Sequence, residues 1–206
     1  MIPPNRRLEL DDHEVASAAF GEPRGQRAPV DLFYRSLSEH GDGFAIILSG
    51  AGSDGSVGVR KIKEAGGIIL VQDPNEAEYA SMPRHAIATG VADFVLSVRE
   101  IALKLAELIR AKREGGSEDR PVDEELLRRV LAHLRVRTGH DFSKYKRSTV
   151  LRRITRRMQV TRADDLRTYY EHLRDNEEEA QALLGDLLIS VTSFFRDREA
   201  FEALRT

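Results

Sequence analysis

Hydrophobic and polar positions divide the chain into two parts with different patterns. In the first part, short apolar runs alternate with stretches that repeat apolar residues at helical spacing. Strands are predicted at 44–48, 67–71 and 91–96, and helices at 30–40, 56–64 and 98–113, with a short helix over 82–90, while residues 1–29 predict only short strand or turn pieces. Because strands and helices alternate, this part is predicted to be α/β with a parallel sheet.

The second part begins after a stretch with the composition of a linker. Residues 114–121, EGGSEDRP, contain glycine, serine, proline and charged residues but no apolar residue. Beyond them no strand is predicted, and four segments show amphipathic helical periodicity: 123–139, 148–160, 164–174 and 177–190. The second part is therefore predicted to be a small all-α helical domain.

Composition excludes several classes of site. The chain has 206 residues, 32 Lys+Arg against 34 Asp+Glu and a net charge of -2, so any affinity for nucleic acid or membranes must be local. Without cysteine there is no disulfide scaffold, thiolate nucleophile or cysteine zinc site, and no metal site is predicted. No apolar run approaches the roughly 20 residues that cross a bilayer. We expect no membrane insertion and a cytoplasmic protein.

One acidic residue stands where a strand runs into a glycine-rich turn. The segment 44–55, FAIILSGAGSDG, ends a buried apolar run with three glycines and Asp54. In open α/β sheets, catalytic and ligand-binding groups collect beyond the carboxyl ends of strands. Asp54 could orient a catalytic histidine, coordinate a cation or cap a helix. From spacing alone a turn or cap is the simpler interpretation, because Asp-Gly turns are common.

Five motifs in this part share their order with a known family. They are IPPNRRLEL, PVDLFYRSL, LSGAGSDGSVGVRKIKEAGG, IILVQDPNEAEYASMPRHAI and GVADFVLSVREIA. Together they resemble the carboxyl-terminal part of the CheB-type chemotaxis receptor methylesterase domain, over roughly half the chain. That family hydrolyses glutamyl methyl esters on chemoreceptors with a Ser-His-Asp triad. The resemblance implies that Asp54 is the triad acid, while Ala51 stands where the family more often has methionine.

The serine and histidine motifs of that family are not found in this chain. They would lie upstream of Ile2, and His13, His40 and His85 do not stand in the family's histidine motif. Loss of the nucleophile and base removes most of the rate of a triad enzyme. We therefore expect the 206-residue chain alone to hydrolyse no methyl ester.

A basic segment marks the second part. Residues 144–157 contain seven basic residues and no acid, and on a helix Arg152, Arg153, Arg156 and Arg157 would form a cationic face. Such a face could be solvated, dock an acidic protein or bind nucleic acid. No base-reading motif or aromatic platform accompanies it, which weakens the nucleic-acid interpretation.

The second part also resembles a known family. GHDFSKYKRSTVLRRITRRM, LRTYYEHLRDN and LLGDLLISVTSFFRDREAFEAL are similar to the amino-terminal helical domain of the CheR-type chemotaxis receptor methyltransferase. The resemblance implies that the four arginines face acidic receptor methylation helices. It also implies that Ser190, Thr192 and Arg196 touch S-adenosylmethionine, although Ser190 replaces an asparagine seen in some members.

Together these observations predict a segment of a methylesterase–methyltransferase hybrid, truncated at both ends. The predicted divisions are an α/β methylesterase part at 1–113, a linker at 114–121, a helical domain at 122–189 and the start of a methyltransferase domain at 190–206. The cofactor loop would follow residue 206, so we expect no tight S-adenosylmethionine binding by this chain. The alternative is a non-catalytic module that docks an acidic partner.

Overall fold

The computed structural model describes residues 5–11, 14–21, 23, 27–41, 43–115 and 123–189. Strands and helices follow one another in these residues in the order that the sequence predicts, with an additional strand pair at the start. The strands are β1 Arg6–Asp11, β2 Glu14–Ala19, β3 Phe44–Ile47, β4 Ile68–Gln72 and β5 Phe94–Leu96. The helices are α1 Pro29–Glu39, α2 Gly58–Glu64, α3 Ser81–Ala88, α4 Val98–Gly115, α5 Glu124–Thr138, α6 Arg147–Thr161, α7 Leu166–Asp175 and α8 Glu177–Leu188.

A parallel three-stranded sheet lies at the centre of the α/β part. Its strand order is β3-β4-β5, with Phe44 opposite Ile68 and Leu70 opposite Phe94. Every residue of the central strand β4 is buried. A continuous apolar run is the pattern expected of a parallel strand covered on both faces. The prediction of a parallel α/β sheet is confirmed.

Helix α4 covers one face of this sheet. Ile68 and Leu70 of β4 pack with Ile101 and Leu108 of α4, at 4% exposure or less. Ile101 and Leu108 are seven residues apart and share one helix face, while Ile68 and Leu70 share one face of the strand. The helical period of about 3.6 residues and the strand period of about 2 residues predicted these elements, and they also explain why the four side chains meet.

The first strands form an antiparallel hairpin that packs on α1. Arg6 pairs with Ala19 and Asp11 with Glu14 along the hairpin. The backbone amide of Leu10 donates to Ser36 Oγ of α1 over 3.0 Å. The sequence predicted only short strand or turn pieces here, because β2 is mostly exposed and has little apolar alternation.

Helices α5, α7 and α8 pack together in the second part and have clear end signals. Asp123, Asp165 and Asn176 accept hydrogen bonds from the first amides of α5, α7 and α8. Gly139 ends α5 in the left-handed conformation, with φ +76°. In the core, the Tyr169 hydroxyl donates to Glu179 Oε1 over 2.8 Å. The predicted all-α domain is confirmed.

The structure divides into two compact units. The first comprises Met1–Pro121 with Thr155–Asp164, and the second comprises Val122–Ile154 with Asp165–Thr206. Helix α6 therefore contributes its carboxyl-terminal half to the first unit. The predicted boundary at 114–121 lies largely outside the described residues and stays a prediction.

A buried ion cluster holds several segments of the first unit together. Asp93 Oδ1 accepts from Lys63 Nζ over 2.7 Å and also from Arg156, and Asp93 Oδ2 accepts from the Ile69 amide over 2.9 Å. Arg156 Nε donates to the Gly67 carbonyl over 2.9 Å. Burial alone would raise the pKa of Asp93, but the positive charges of Arg156 and Lys63 outweigh burial and lower this pKa below its ordinary value.

Replacement of Asp93 by asparagine should destabilise the first unit strongly. The change keeps an acceptor for Ile69 but leaves Lys63 and Arg156 without the charge of Asp93. Breaking a buried pair in this way costs about 3 kcal/mol or more of the free energy of unfolding, measured by urea denaturation. The matched control is Glu125→Gln, which removes an exposed pair with Arg129 and should cost less than about 1 kcal/mol.

The pH dependence gives a second check on the same pair. Because the folded-state pKa of Asp93 is lowered, its contribution to stability is complete above the unfolded-state pKa, near 3.8. That contribution is lost as the pH falls through the lowered folded-state value. Asp93→Asn should therefore remove part of the acid destabilisation seen in the wild type. Equal acid sensitivity in both proteins would contradict a depressed pKa at Asp93.

Candidate functional site

Asp54 lies in the loop between β3 and α2, at the carboxyl end of the sheet, as predicted. Gly52 and Gly55 in this loop have φ angles of +90° and +94°, a region that favours glycine. A Cβ at position 55 would also lie 3.0 Å from side-chain atoms of both Ile47 and Val30. The glycines therefore allow the loop to turn tightly against β3 and α1.

A second segment fixes the start of this loop. The amide of Gly50 donates to the Tyr79 carbonyl over 2.9 Å, and the amide of Met82 donates to the Gly50 carbonyl over 3.0 Å. The Gly52 amide donates to Ser81 Oγ over 2.7 Å. The loop is thus tied to the amino-terminal end of α3 before the chain reaches Asp54.

The Asp54 carboxylate accepts two backbone hydrogen bonds from the first turn of α1. Its Oδ2 accepts from the Val30 amide over 3.0 Å, and its Oδ1 accepts from the Asp31 amide over 2.9 Å. Ala28, the residue at the N-cap of α1, provides no capping side chain. Asp54 therefore caps α1, which precedes it by more than twenty residues, and not the helix that follows it.

No imidazole contacts Asp54 in the part of the chain that the structure describes. Nδ1 of His40 lies 2.9 Å from the Ser36 carbonyl oxygen, and Nδ1 of His85 lies 2.7 Å from the Ser81 carbonyl oxygen. His13 lies outside the described residues. The described residues thus place the predicted acid but assemble no Ser-His-Asp triad, and the catalytic role of Asp54 stays a prediction.

Tyr34 is a neighbour of this site that sequence reasoning missed. Its side chain is buried, and its hydroxyl donates to the Ile46 carbonyl of β3 over 2.8 Å. Burial is the main cause that raises the pKa of Tyr34 to about 12, and the negative charge of Asp54 adds to it. Tyr34 therefore stays neutral and anchors α1 to the sheet. Its place in the PVDLFYRSL motif, on the apolar side of a predicted helix, was the available signal.

The structure corrects the predicted cationic face of α6. Arg153 and Arg156 are 0% and 1% exposed, so the expectation that all four arginines share one exposed face is wrong for these two. Arg152 is exposed and Arg157 is half-buried. The physical reason is helical spacing, since Arg153 follows the buried Val150 by three residues and Arg156 follows Arg153 by three. Whether Arg152 and Arg157 bind a partner stays a prediction.

The residues predicted to touch S-adenosylmethionine cannot be placed. Ser190, Thr192 and Arg196 all lie outside the described residues. The cofactor assignment therefore stays a prediction. Among the described residues, no helix is both long and apolar enough to span a bilayer.

Comparison with known families gives two matches along the chain. The CheB methylesterase family model matches residues 1–105. The chain belongs to the CheB methylesterase family. The model of the CheR methyltransferase all-alpha domain matches residues 125–188, so a CheR-type helical domain follows the CheB-type part. Both resemblances predicted from the motifs are confirmed.

Individual proteins are similar to all or part of the chain. A 104.1 kDa protein of Rhodobacter capsulatus, named for the hypE 3' region, is 35% identical over 99% of this chain and 24% of its own length. A Leptospira interrogans protein whose name includes protein-glutamate methylesterase/protein-glutamine glutaminase is 42% identical over 50% of this chain and 54% of its own. The Thermotoga maritima CheB methylesterase catalytic domain has a TM-score of 0.47 and 30% identity, covering 52% of this chain and 59% of that domain. The chain thus spans 24% and 54% of the length of these two curated relatives.

Replacement of Gly58 by alanine should destabilise the Asp54 site. A Cβ there would lie 2.7 Å from Tyr34 Cβ and 3.0 Å from Asp31 Cα, and the backbone of α1 cannot easily move away. Overpacking of this kind costs about 1–3 kcal/mol, measurable as a shift in the urea unfolding midpoint.

Gly185→Ala is the matched control for this change. Gly185 lies in α8, where an added Cβ meets nothing within 4 Å. Alanine should stabilise that helix by about 0.5–1 kcal/mol. A neutral or stabilising Gly58→Ala would contradict the close approach of α1 and α2.

Proposed function

We propose that the chain is part of a protein that sets the methylation state of glutamate side chains on chemoreceptors. The observation that carries the proposal is the succession of a CheB methylesterase match and a CheR all-alpha match in one chain. The Rhodobacter relative aligns over 99% of the chain and so includes both parts. A protein with both parts would remove methyl groups with one domain and add them with the other.

In this proposal Asp54 is the acid of a Ser-His-Asp triad. Each carboxylate oxygen has two lone pairs, so the bonds to Val30 and Asp31 leave acceptor capacity for an imidazole N–H. The acid would hold the histidine in the correct tautomer and stabilise its protonated form, while the histidine activates the serine. Serine and histidine would come from a segment outside the described residues. Names of relatives also include protein-glutamine glutaminase, and amide hydrolysis would use the same acyl transfer to water.

The helical part would bring the enzyme to its substrate. We propose that it docks an acidic protein surface, such as receptor methylation helices, through the exposed Arg152. For the methyltransferase, Ser190, Thr192 and Arg196 would hold S-adenosylmethionine, because a hydroxyl and a guanidinium suit the carboxylate of a zwitterionic cofactor. A cytoplasmic location is part of this proposal.

A second candidate function is a non-catalytic module that docks an acidic protein. The observation that favours it is the bonding of Asp54, whose carboxylate accepts from the amides of Val30 and Asp31 and, among the described residues, from no imidazole. In that case the α/β part is a scaffold and Asp54 has only a structural role.

Esterase measurements separate the two functions. We expect the purified 206-residue chain to release no methanol from a methylated receptor. In a protein that joins this chain to a segment supplying the serine and histidine, Asp54→Ala should lower kcat by about 10⁴-fold, the size of effect seen when a triad acid loses its function. Asp175→Ala, an exposed change on α7, is the control and should leave kcat unchanged.

Two outcomes would contradict the catalytic proposal. Turnover by the 206-residue chain alone would show that no upstream serine and histidine are needed. Full activity of the joined protein after Asp54→Ala would leave only the docking function.

Charge reversal on α6 tests the docking proposal. Arg152→Glu should weaken binding of an acidic receptor-helix peptide by about tenfold at low salt, since complementary charges raise the association rate. The difference should shrink as salt increases, because exposed charges are screened. Fluorescence anisotropy of a labelled peptide provides the measurement. Arg167→Glu, an exposed change on α7, is the control, and equal loss in both variants would contradict a specific surface on α6.

A further inference from the structure

Two helices start beside Asp54 without a capping side chain of their own. The N-cap residues are Ala28 for α1 and Val57 for α2, and neither makes a side-chain hydrogen bond to the first amides. The first turn of a helix leaves backbone amides without an intrahelical acceptor. For α1, Asp54 supplies the missing acceptor from another part of the chain.

The side chain of Asp31 performs the same task for α2. Its Oδ1 accepts from the Val57 amide over 3.0 Å and from the Gly58 amide over 2.6 Å. Asp31 belongs to α1, and Asp54 belongs to the loop that leads into α2. Asp31, in α1, therefore caps α2, and Asp54, in the loop before α2, caps α1. The two caps are reciprocal.

Electrostatics and packing both favour this reciprocal cap. The amino-terminal ends of α1 and α2 carry partial positive charge, and each meets a carboxylate. The helices come close enough that Gly58 has no room for a Cβ against Asp31 and Tyr34. A shift of α2 would therefore disturb the bonds of Asp31 and the loop that carries Asp54.

We propose that Asp31 is the positioning residue for Asp54. By holding the amides of Val57 and Gly58, it fixes the end of the Asp54 loop against the first turn of α1. The Asp54 carboxylate then keeps one orientation, with one oxygen on the Val30 amide and the other on the Asp31 amide. The catalytic significance of this arrangement rests on the proposed function, whereas the arrangement itself does not.

Asp31 and Asp54 use their carboxylate oxygens differently, so they differ in whether asparagine can replace them. Asp31 uses a single oxygen for both of its bonds, so an asparagine carbonyl can replace it. Asp54 uses one oxygen for each amide, so an asparagine there would turn an NH₂ group toward a backbone N–H. The structure therefore predicts that asparagine is tolerated at position 31 and not at position 54.

Amide hydrogen exchange of the 206-residue chain, followed by NMR, tests the proposal. Asp31→Ala should speed exchange of the Val30 amide by about tenfold, although the Asp31 side chain does not bond that amide. Asp31→Asn should stay within about twofold of the wild type. Asp165→Ala is the matched control: it removes the cap that accepts from the Thr168 amide over 2.7 Å and should leave Val30 unchanged.

Three outcomes would overturn the proposal. In the first, Asp31→Ala speeds exchange at Val57 and Gly58 alone. In the second, Asp31→Asn behaves like Asp31→Ala. If Asp31→Ala does not fold, the comparison of Asp31→Asn with Asp54→Asn replaces it. The third outcome that would overturn the proposal is equal exchange of the Val30 amide in these two variants. None of these measurements uses esterase turnover, so failure of this proposal can be distinguished from failure of the proposed function.

Discussion

The carboxylate of Asp93 is the group on which the first unit depends most. Its side chain is 2% exposed, and a buried charge is stable only when cations and hydrogen-bond donors surround it. Lys63 of α2, Arg156 of α6 and the Ile69 amide of β4 meet these needs. The ionised carboxylate of Asp93 thus holds together three parts of the first unit: α2, β4 and the carboxyl-terminal half of α6.

Local periodicity was enough to predict most elements of the fold. The continuous apolar run of β4 and the helical spacing in α4 were readable because the same side chains form the core. The hairpin β1-β2 was not predicted as a pair, since strand pairing leaves little signal in a segment that is mostly exposed. Arg156 shows a deeper limit: charge predicted exposure, whereas its buried contacts are with Gly67 and Asp93, far away in sequence.

The Asp54 site shows the same contrast. A glycine turn after a strand was enough to find the acid, and the family motifs supplied its expected role. The roles of catalytic acid and helix cap are compatible for Asp54, because a carboxylate that caps α1 through two oxygens still has lone pairs for another donor. The reciprocal role of Asp31 was not predictable from capping rules, which look for a polar residue next to the helix it caps. Ala28 and Val57 break that local rule, and tertiary structure supplies the acceptors.

The bond between Asp93 and Arg156 also has a consequence for the order in which the protein is made. The two residues are 63 positions apart, and a ribosome adds about 5–20 residues per second. Arg156 therefore joins the growing chain roughly 3–13 s after Asp93. Of the two cations bonded to Asp93 in the folded protein, Lys63 is already part of the chain throughout that interval. Until Arg156 is added, the Gly67 carbonyl and the Asp93 carboxylate lack the bonds that Arg156 makes to them in the folded protein.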